Sequence, residues 1–247
     1  MQAHQSSVPP AALTVAILAG GLGTRLRAVV SDRPKVLAEA AGRPFLAWWL
    51  DALDAQGFRD VVLCTGFKAA QVREMFGSTH GHLRLRYSVE SQPLGTGGAL
   101  RHALPFFASD LILVLNGDSF CDVDLRGFVQ EHAERQACSS LVLAKVADIS
   151  RFGLVTFRTD GGLEAFHEKN GDHCPGWINA GIYLFSRGAL ASLPAGQNIS
   201  LERDLLPRWM TQGIQCHPCH GQFIDIGTPE SLAQADAFFA RPGLAVA

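Results

Sequence analysis

The chain carries no surplus of charge. Its 247 residues hold 21 Lys plus Arg against 23 Asp plus Glu, a formal net charge of −2. A nucleic-acid binder would show a basic excess or stripe, so that class is not expected. An anionic substrate has to be met by a few well-placed cations. No stretch reaches membrane-spanning length without charges, and the apolar run Leu13–Ala19 stops at Gly20-Gly21. Met1–Ala12 has no Lys or Arg and no long apolar stretch, so it does not read as a signal peptide. The six cysteines are scattered, which fits reduced thiols better than a disulfide framework. These absences predict a cytoplasmic protein that needs neither nucleic acid nor membrane. Repeats, low-complexity blocks and linkers are also missing. With 47% hydrophobic and 18% charged residues, the chain can bury a sizeable core.

The first half alternates short apolar runs with helical spacing. Strands are expected at 13–18, 60–64, 83–89, 111–115 and 140–146, and helices at 45–56, 69–76, from 97 and at 125–135. This alternation implies βαβ units, hence an α/β fold with a Rossmann-like, mostly parallel sheet flanked by helices. The second half departs from it. Residues 154–157, Asp160-Gly161-Gly162 and 163–167 read as an inserted β-hairpin, with a strand at 182–185, a helix at 200–211 interrupted by Pro207, and a final helix at 229–239. The simplest organisation is a tail over 1–12, one domain over 13–240 and a tail over 241–247.

Leu18-Ala19-Gly20-Gly21-Leu22-Gly23-Thr24-Arg25-Leu26 directly follows the first strand. Its glycines let backbone approach a ligand and present N–H groups to an anion, and Arg25 adds a fork for phosphate oxygens. The spacing is not the dinucleotide fingerprint, and no Gly-Lys-Ser/Thr closes a P-loop. With Pro34-Lys35 downstream, the segment resembles the signature of the sugar 1-phosphate nucleotidyltransferases, also called nucleotide-sugar pyrophosphorylases. That resemblance implies a reaction in which an NTP and a sugar 1-phosphate give a nucleotide sugar and pyrophosphate. It implies catalytic roles for Arg25 and Lys35 on the phosphates, and nucleotide contacts from Leu18, Ala19, Gly20, Gly21, Gly23 and Thr24.

Further motifs recur in the family's order, from about 13 to about 239. Glu90-Ser91-Gln92-Pro93-Leu94-Gly95-Thr96-Gly97-Gly98 is similar to the base-recognition loop, which implies Glu90, Pro93, Gly95, Thr96 and Gly97 around the base, with the ring over Gly97-Gly98. A carboxylate only accepts hydrogen bonds, and guanine offers two adjacent donors, so Glu90 suits GTP. Asn116, Gly117 and Asp118 end a buried strand, where open α/β sheets bind ligands. The resemblance implies nucleotide contacts from Asn116 and Gly117 and a catalytic role for Asp118, which it places with Asp225 on one Mg²⁺, and hard carboxylate oxygens suit that ion. On the sugar-phosphate side it implies Gly153, Glu168, Lys169, Asn179 and Ala180, with Lys169 catalytic. Asn170 stands where the family often has Pro.

The stretch Leu26–Lys35 departs from the commoner family version and looks most like the D-glycero-α-D-manno-heptose 1-phosphate guanylyltransferases, enzymes of GDP-heptose supply for bacterial surface polysaccharide. Mannose, glucose or N-acetylmuramate 1-phosphate, and thymidylyl or uridylyl transfer, are the alternatives within the family. The family also implies homo-oligomers, with no interface legible here. A non-catalytic nucleotide-sugar sensor is disfavoured by the intact Arg25, Lys35, Asp118, Lys169 and Asp225. A glycosyltransferase would use Asp122-Val123-Asp124 as a metal motif, but these residues read as a helix cap. Cys216-His217-Pro218-Cys219-His220 matches a haem-attachment pattern, yet its spacing before Asp225 reads as a strand.

Overall fold

A computed structural model describes residues 8–21, 23, 25–26, 30–167 and 171–241. Thr24, Glu168 and Lys169 lie outside the described residues. The first strand is β1 (Thr14–Ala19), and a small hairpin of β2 (Glu39–Ala40) and β3 (Arg43–Pro44) leads into α1 (Phe45–Ala55). Then come β4 (Asp60–Thr65), α2 (Ala69–Phe76), β5 (Thr79–His80), β6 (Leu83–Val89), α3 (Gly95–Ala103) and β7 (Leu111–Asn116). After β8 (Ser119–Cys121), α4 (Leu125–Glu134) and β9 (Ser139–Val146), the hairpin β10 (Leu154–Phe157) and β11 (Leu163–His167) precedes the long β12 (Gly176–Ser186). The chain finishes with α5 (Arg187–Ala191), α6 (Leu206–Trp209), β13 (Ile214–Cys219), β14 (Phe223–Asp225), α7 (Pro229–Ala233) and α8 (Ala235–Phe239).

The main sheet runs β11-β10-β12-β7-β1-β4-β6-β5, with β9 joined at β12 and β13 at β9. β1 is parallel to both β4 and β7, and β4 is parallel to β6, whereas β12 is antiparallel to β7 and β9. The side-chain period of two sends alternate residues to two cores. Val15, Ile17, Leu113 and Leu115 pack with Phe45 and Trp49 of α1 on one face. Ala16, Ile112 and Val114 pack with Leu100 of α3 and with Tyr183 and Leu205 on the other. Burial on both faces explains why β4 reads as an unbroken apolar run after Asp60.

Two expected helices differ. Residues 200–211 form a π-helical turn, Leu201–Leu205, then α6 and a 3₁₀ turn, because Pro207 supplies no N–H inside the segment. The last helix is broken at Gln234 into α7 and α8. Asp124 caps α4, accepting from the N–H groups of Arg126 and Gly127, as its spacing predicts. Cys216 is buried in β13, which runs parallel to β9. Trp49 is buried, with its indole N–H donated to the Ser119 carbonyl, and Trp48 stacks on Phe239 at 4.3 Å between ring centres. Among the described residues no helix is long and apolar enough to cross a membrane.

Candidate active site

From β1 the chain moves outward through β4 to β6, then crosses back to place β7 on the opposite side of β1. The crevice at such a reversal, beyond the C-terminal ends of the strands, is where open α/β sheets bind ligands. A cleft of about 500 Å³ lies there. Leu18 and Ala19 line it from the end of β1, Gly20, Gly21, Gly23 and Arg25 from the loop that follows, and Asn116 and Asp118 from the end of β7 and just beyond it. Glu90 and Pro93 enter from the β6–α3 loop, Gly95 and Thr96 from the start of α3, and Lys35 from the 3₁₀ turn Lys35–Leu37.

Close approaches build this wall. A Cβ on Gly20 would stand 2.9 Å from Glu90 Oε1 and 3.3 Å from the Gly66 nitrogen, so glycine is required for Glu90 to reach the loop. Gly117 is buried below the cleft; its N–H donates to the Leu18 carbonyl at 2.9 Å, locking the ends of β1 and β7 together. Glu90 Oε2 accepts the Leu94 N–H at 3.2 Å. Burial raises the Glu90 carboxyl above its ordinary value, against the smaller opposing effect of that hydrogen bond.

The structure corrects the expectation for Gly97 and Gly98. Both N–H groups donate to the Ile199 carbonyl, at 2.8 and 3.3 Å. A Cβ on Gly97 would meet Leu205 Cδ1 at 2.8 Å, and one on Gly98 would meet the Gln197 carbonyl at 2.3 Å. These glycines admit the segment Gln197–Leu205 against α3, and that segment, not a flat ligand, covers them.

Asp118 and Asp225 meet through backbone pairing. β14 lies antiparallel to β8 with Asp225 opposite Ser119, and the Ile226 N–H donates to the Asp118 carbonyl at 2.9 Å. Each carboxylate has a cation. Lys35 Nζ is 2.6 Å from Asp118 Oδ2, and Arg151 Nη2 is 2.9 and 3.0 Å from the two oxygens of Asp225. Arg25 is close by: the position of a Cβ on Gly227 is 3.6 Å from Arg25 Nη2 and 3.7 Å from Arg151 Nη2.

Three of the expected sugar-side residues, Gly153, Asn179 and Ala180, stand apart from the cleft lining. β12 bulges against β9 between Asn179 and Tyr183, with Gly181 at φ +75°. A Cβ there would be 2.6 Å from Asn116 Nδ2. The Asn179 amide donates to the Tyr183 hydroxyl at 2.8 Å, and its oxygen accepts the Gly181 N–H at 2.9 Å. Ala180 is buried, and Gly153 packs so that a Cβ would be 2.7 Å from the His167 carbonyl. Asn179 therefore holds the bulge with both ends of its amide. Tyr183 continues the network to Glu202 Oε1 at 3.3 Å, and Glu202 Oε2 accepts from Thr96 Oγ1 at 3.2 Å.

Four residues of the site have no local mark in the sequence. Arg151 finds Asp225 across 74 positions. Asn198 and Arg203 line the cleft, and Glu202 braces Thr96, because α3 glycines admit the Gln197–Leu205 segment. The buried Asn116 Oδ1 has no hydrogen-bond partner among the described residues, leaving an acceptor at the cleft.

The nucleotidyl transferase family matches residues 14–241, and the chain belongs to it. It is 35% identical over 220 residues to the D-glycero-alpha-D-manno-heptose 1-phosphate guanylyltransferase of Aneurinibacillus thermoaerophilus, covering 89% of this chain and 95% of that one. The enzyme of the same name from Campylobacter jejuni is 34% identical over 87% of this chain and 94% of its own length. The mannose-1-phosphate guanylyltransferase of Mycobacterium tuberculosis is 34% identical, but the chain spans only 64% of its length. HddC from Yersinia pseudotuberculosis, solved in complex with GMP-PN, superposes with a TM-score of 0.82 at 31% identity, over 92% of this chain and 99% of that one. The chain is thus an enzyme of sugar-phosphate nucleotidyl transfer.

Proposed function

We propose that the enzyme transfers GMP from GTP to D-glycero-α-D-manno-heptose 1-phosphate, giving GDP-heptose and pyrophosphate, in the cytoplasm, for surface polysaccharide. The observation that carries this reading is the cleft at the β1–β7 reversal. It is lined by the glycine loop, by the cations Arg25 and Lys35, and by the acceptor Glu90. The heptose assignment draws on the relatives matched along nearly their whole length.

The triphosphate lies along the Gly20–Gly23 backbone, with Arg25 and Lys35 on its oxygens, and guanine donates N1–H and the amino group to Glu90. An oxygen of the sugar phosphate forms a bond to the α-phosphorus as the bond from that phosphorus to the bridging oxygen of pyrophosphate breaks. The nucleophile is already ionised, so no protein base is needed. Arg25 and Lys35 lower the barrier by holding charge that spreads onto the phosphoryl oxygens. Lys169 is assigned to the sugar phosphate, with Glu168, Asn179, Ala180 and Gly153 around the sugar. Within this subsite, Asn179 acts by holding the β12 bulge.

Asp118 and Asp225 fit Mg²⁺. The ion commonly takes one or two carboxylates and completes its shell with substrate phosphates and water, and β8·β14 pairing brings the backbones of these two residues together. When bound, Mg²⁺ would neutralise phosphate charge and polarise the reacting phosphoryl group.

Pyrophosphate release tests the reading, with four NTPs crossed against heptose, mannose, glucose and N-acetylglucosamine 1-phosphates. Release with GTP and the heptose phosphate is expected. Preference for mannose 1-phosphate would transfer the assignment to the second group of relatives. No release by folded protein would turn the reading toward a nucleotide-sugar sensor.

A further inference from the structure

Arg151 is the cation that the sequence did not mark, and the loop before β10 delivers it with care. The Ser150 N–H donates to Asp148 Oδ1 at 2.8 Å, and the Phe152 N–H to the Ile149 carbonyl at 2.7 Å. Phe152 packs edge-on against Phe223 with ring centres 5.7 Å apart. Phe223 lies in β14, two residues before Asp225, so loop and carboxylate are positioned by one contact. Arg151 Nη2 then reaches both Asp225 oxygens, and Ser231 Oγ at 3.3 Å. The Gly227 N–H takes Asp225 Oδ2 as well, at 2.8 Å.

A divalent cation on Asp225 would use the same oxygens at about 2.1 Å. It would then stand close to a guanidinium of like sign. Lys35 has the equivalent relation to Asp118. Two carboxylates matched by two cations hold no surplus negative charge to attract a free metal ion. A triphosphate alters that balance, because its oxygens offer both cations another anion. Arg151 is already beside Arg25, across Gly227.

We propose that Arg151 competes with the divalent cation for Asp225, so that tight metal capture depends on the triphosphate that draws the guanidinium away. This rests on the reading of Asp225 as a metal carboxylate, and the experiment separates the two. Free Mn²⁺ is titrated by electron paramagnetic resonance against nucleotide-free wild type, Arg151→Gln, Asp225→Asn and the double variant. The Arg151 side chain is 40% exposed, so its substitution leaves the core intact.

Arg151→Gln binds Mn²⁺ about fivefold tighter, the scale of a partly exposed ion pair. In the Asp225→Asn background the same substitution has no effect. GTP, added without sugar phosphate, tightens Mn²⁺ binding less in Arg151→Gln than in wild type, because the variant has no guanidinium for the triphosphate to draw away. Unchanged affinity in Arg151→Gln overturns the competition. So does a fivefold gain that persists in Asp225→Asn, which would mark a general effect of charge. Should Asp225→Asn leave Mn²⁺ binding untouched in both backgrounds, the metal role of Asp225 fails, and the competition fails with it.

Discussion

Glu90→Gln should lower activity while raising stability. The side chain keeps its size and sits between Gly20 and Gly66, each of whose Cβ positions lies within 2.9 Å of Oε1. The amide oxygen can keep the Leu94 N–H that Oε2 accepts at 3.2 Å, which leaves an NH₂ group in place of Oε1. Guanine presents donors along the edge read by Glu90, so a donor replaces an acceptor. A hydrogen bond to a charged group contributes about 1.5–3 kcal/mol. At about 1.4 kcal/mol per factor of ten, kcat/KM for GTP falls roughly 10- to 150-fold.

Stability moves the other way. Burial holds the folded Glu90 carboxyl above 4.5, so its ionised form disfavours folding. The folded state binds that proton more tightly than the unfolded chain, so wild type loses this contribution as pH rises through the raised value. The neutral amide should therefore melt higher than wild type at pH 7.5, with the difference closing as pH falls toward 4.5. The assays are pyrophosphate release with each NTP and calorimetry across pH. Wild-type kcat/KM for GTP in the folded variant would refute the base-reading role, and a lower melting temperature at pH 7.5 would refute the burial argument.

Gly95→Ala meets two obstacles: φ is +69°, and the new Cβ would stand 2.5 Å from the Ile199 carbonyl that holds the start of α3. A loss of about 1–3 kcal/mol and weakened GTP binding are expected, read by thermal melting and nucleotide titration. Tyr183→Phe strands the Asn179 amide and one oxygen of Glu202, costing about 1–3 kcal/mol; the KM for sugar phosphate should rise more than that for GTP, and equal effects on both would remove the Tyr183 network from the sugar side. Cys219 accepts a hydrogen bond from Cys121, which holds its thiol below the ordinary 9.0. The thiolate therefore forms at a lower pH than in an ordinary cysteine, and peptide mapping after iodoacetamide treatment should place the midpoint of Cys219 labelling below 9.0.

Much of this enzyme was legible in the chain itself. α2, β6, β10 and β11 occupy the residues their patterns predict, since period and turn residues are local properties. The glycine loop could be read because only backbone without Cβ admits Glu90 so closely, a constraint written into residue identity. Local sequence could not show which distant groups meet. Gly97 and Gly98 looked like a platform for a base, yet they are small because the Gln197–Leu205 segment packs on them. Nor could local sequence show that Asn179, whose motif implies a sugar contact, braces the bulge where β12 pairs with β9. The sequence supplied Asp118 and Asp225 as candidates. The antiparallel pairing of β8 with β14 set them side by side, and a loop anchored by Phe152 on Phe223 gave one of them to Arg151. Composition and spacing determine strands, turns and the chemistry at hand; which charge neutralises which is decided by packing between segments far apart in the chain.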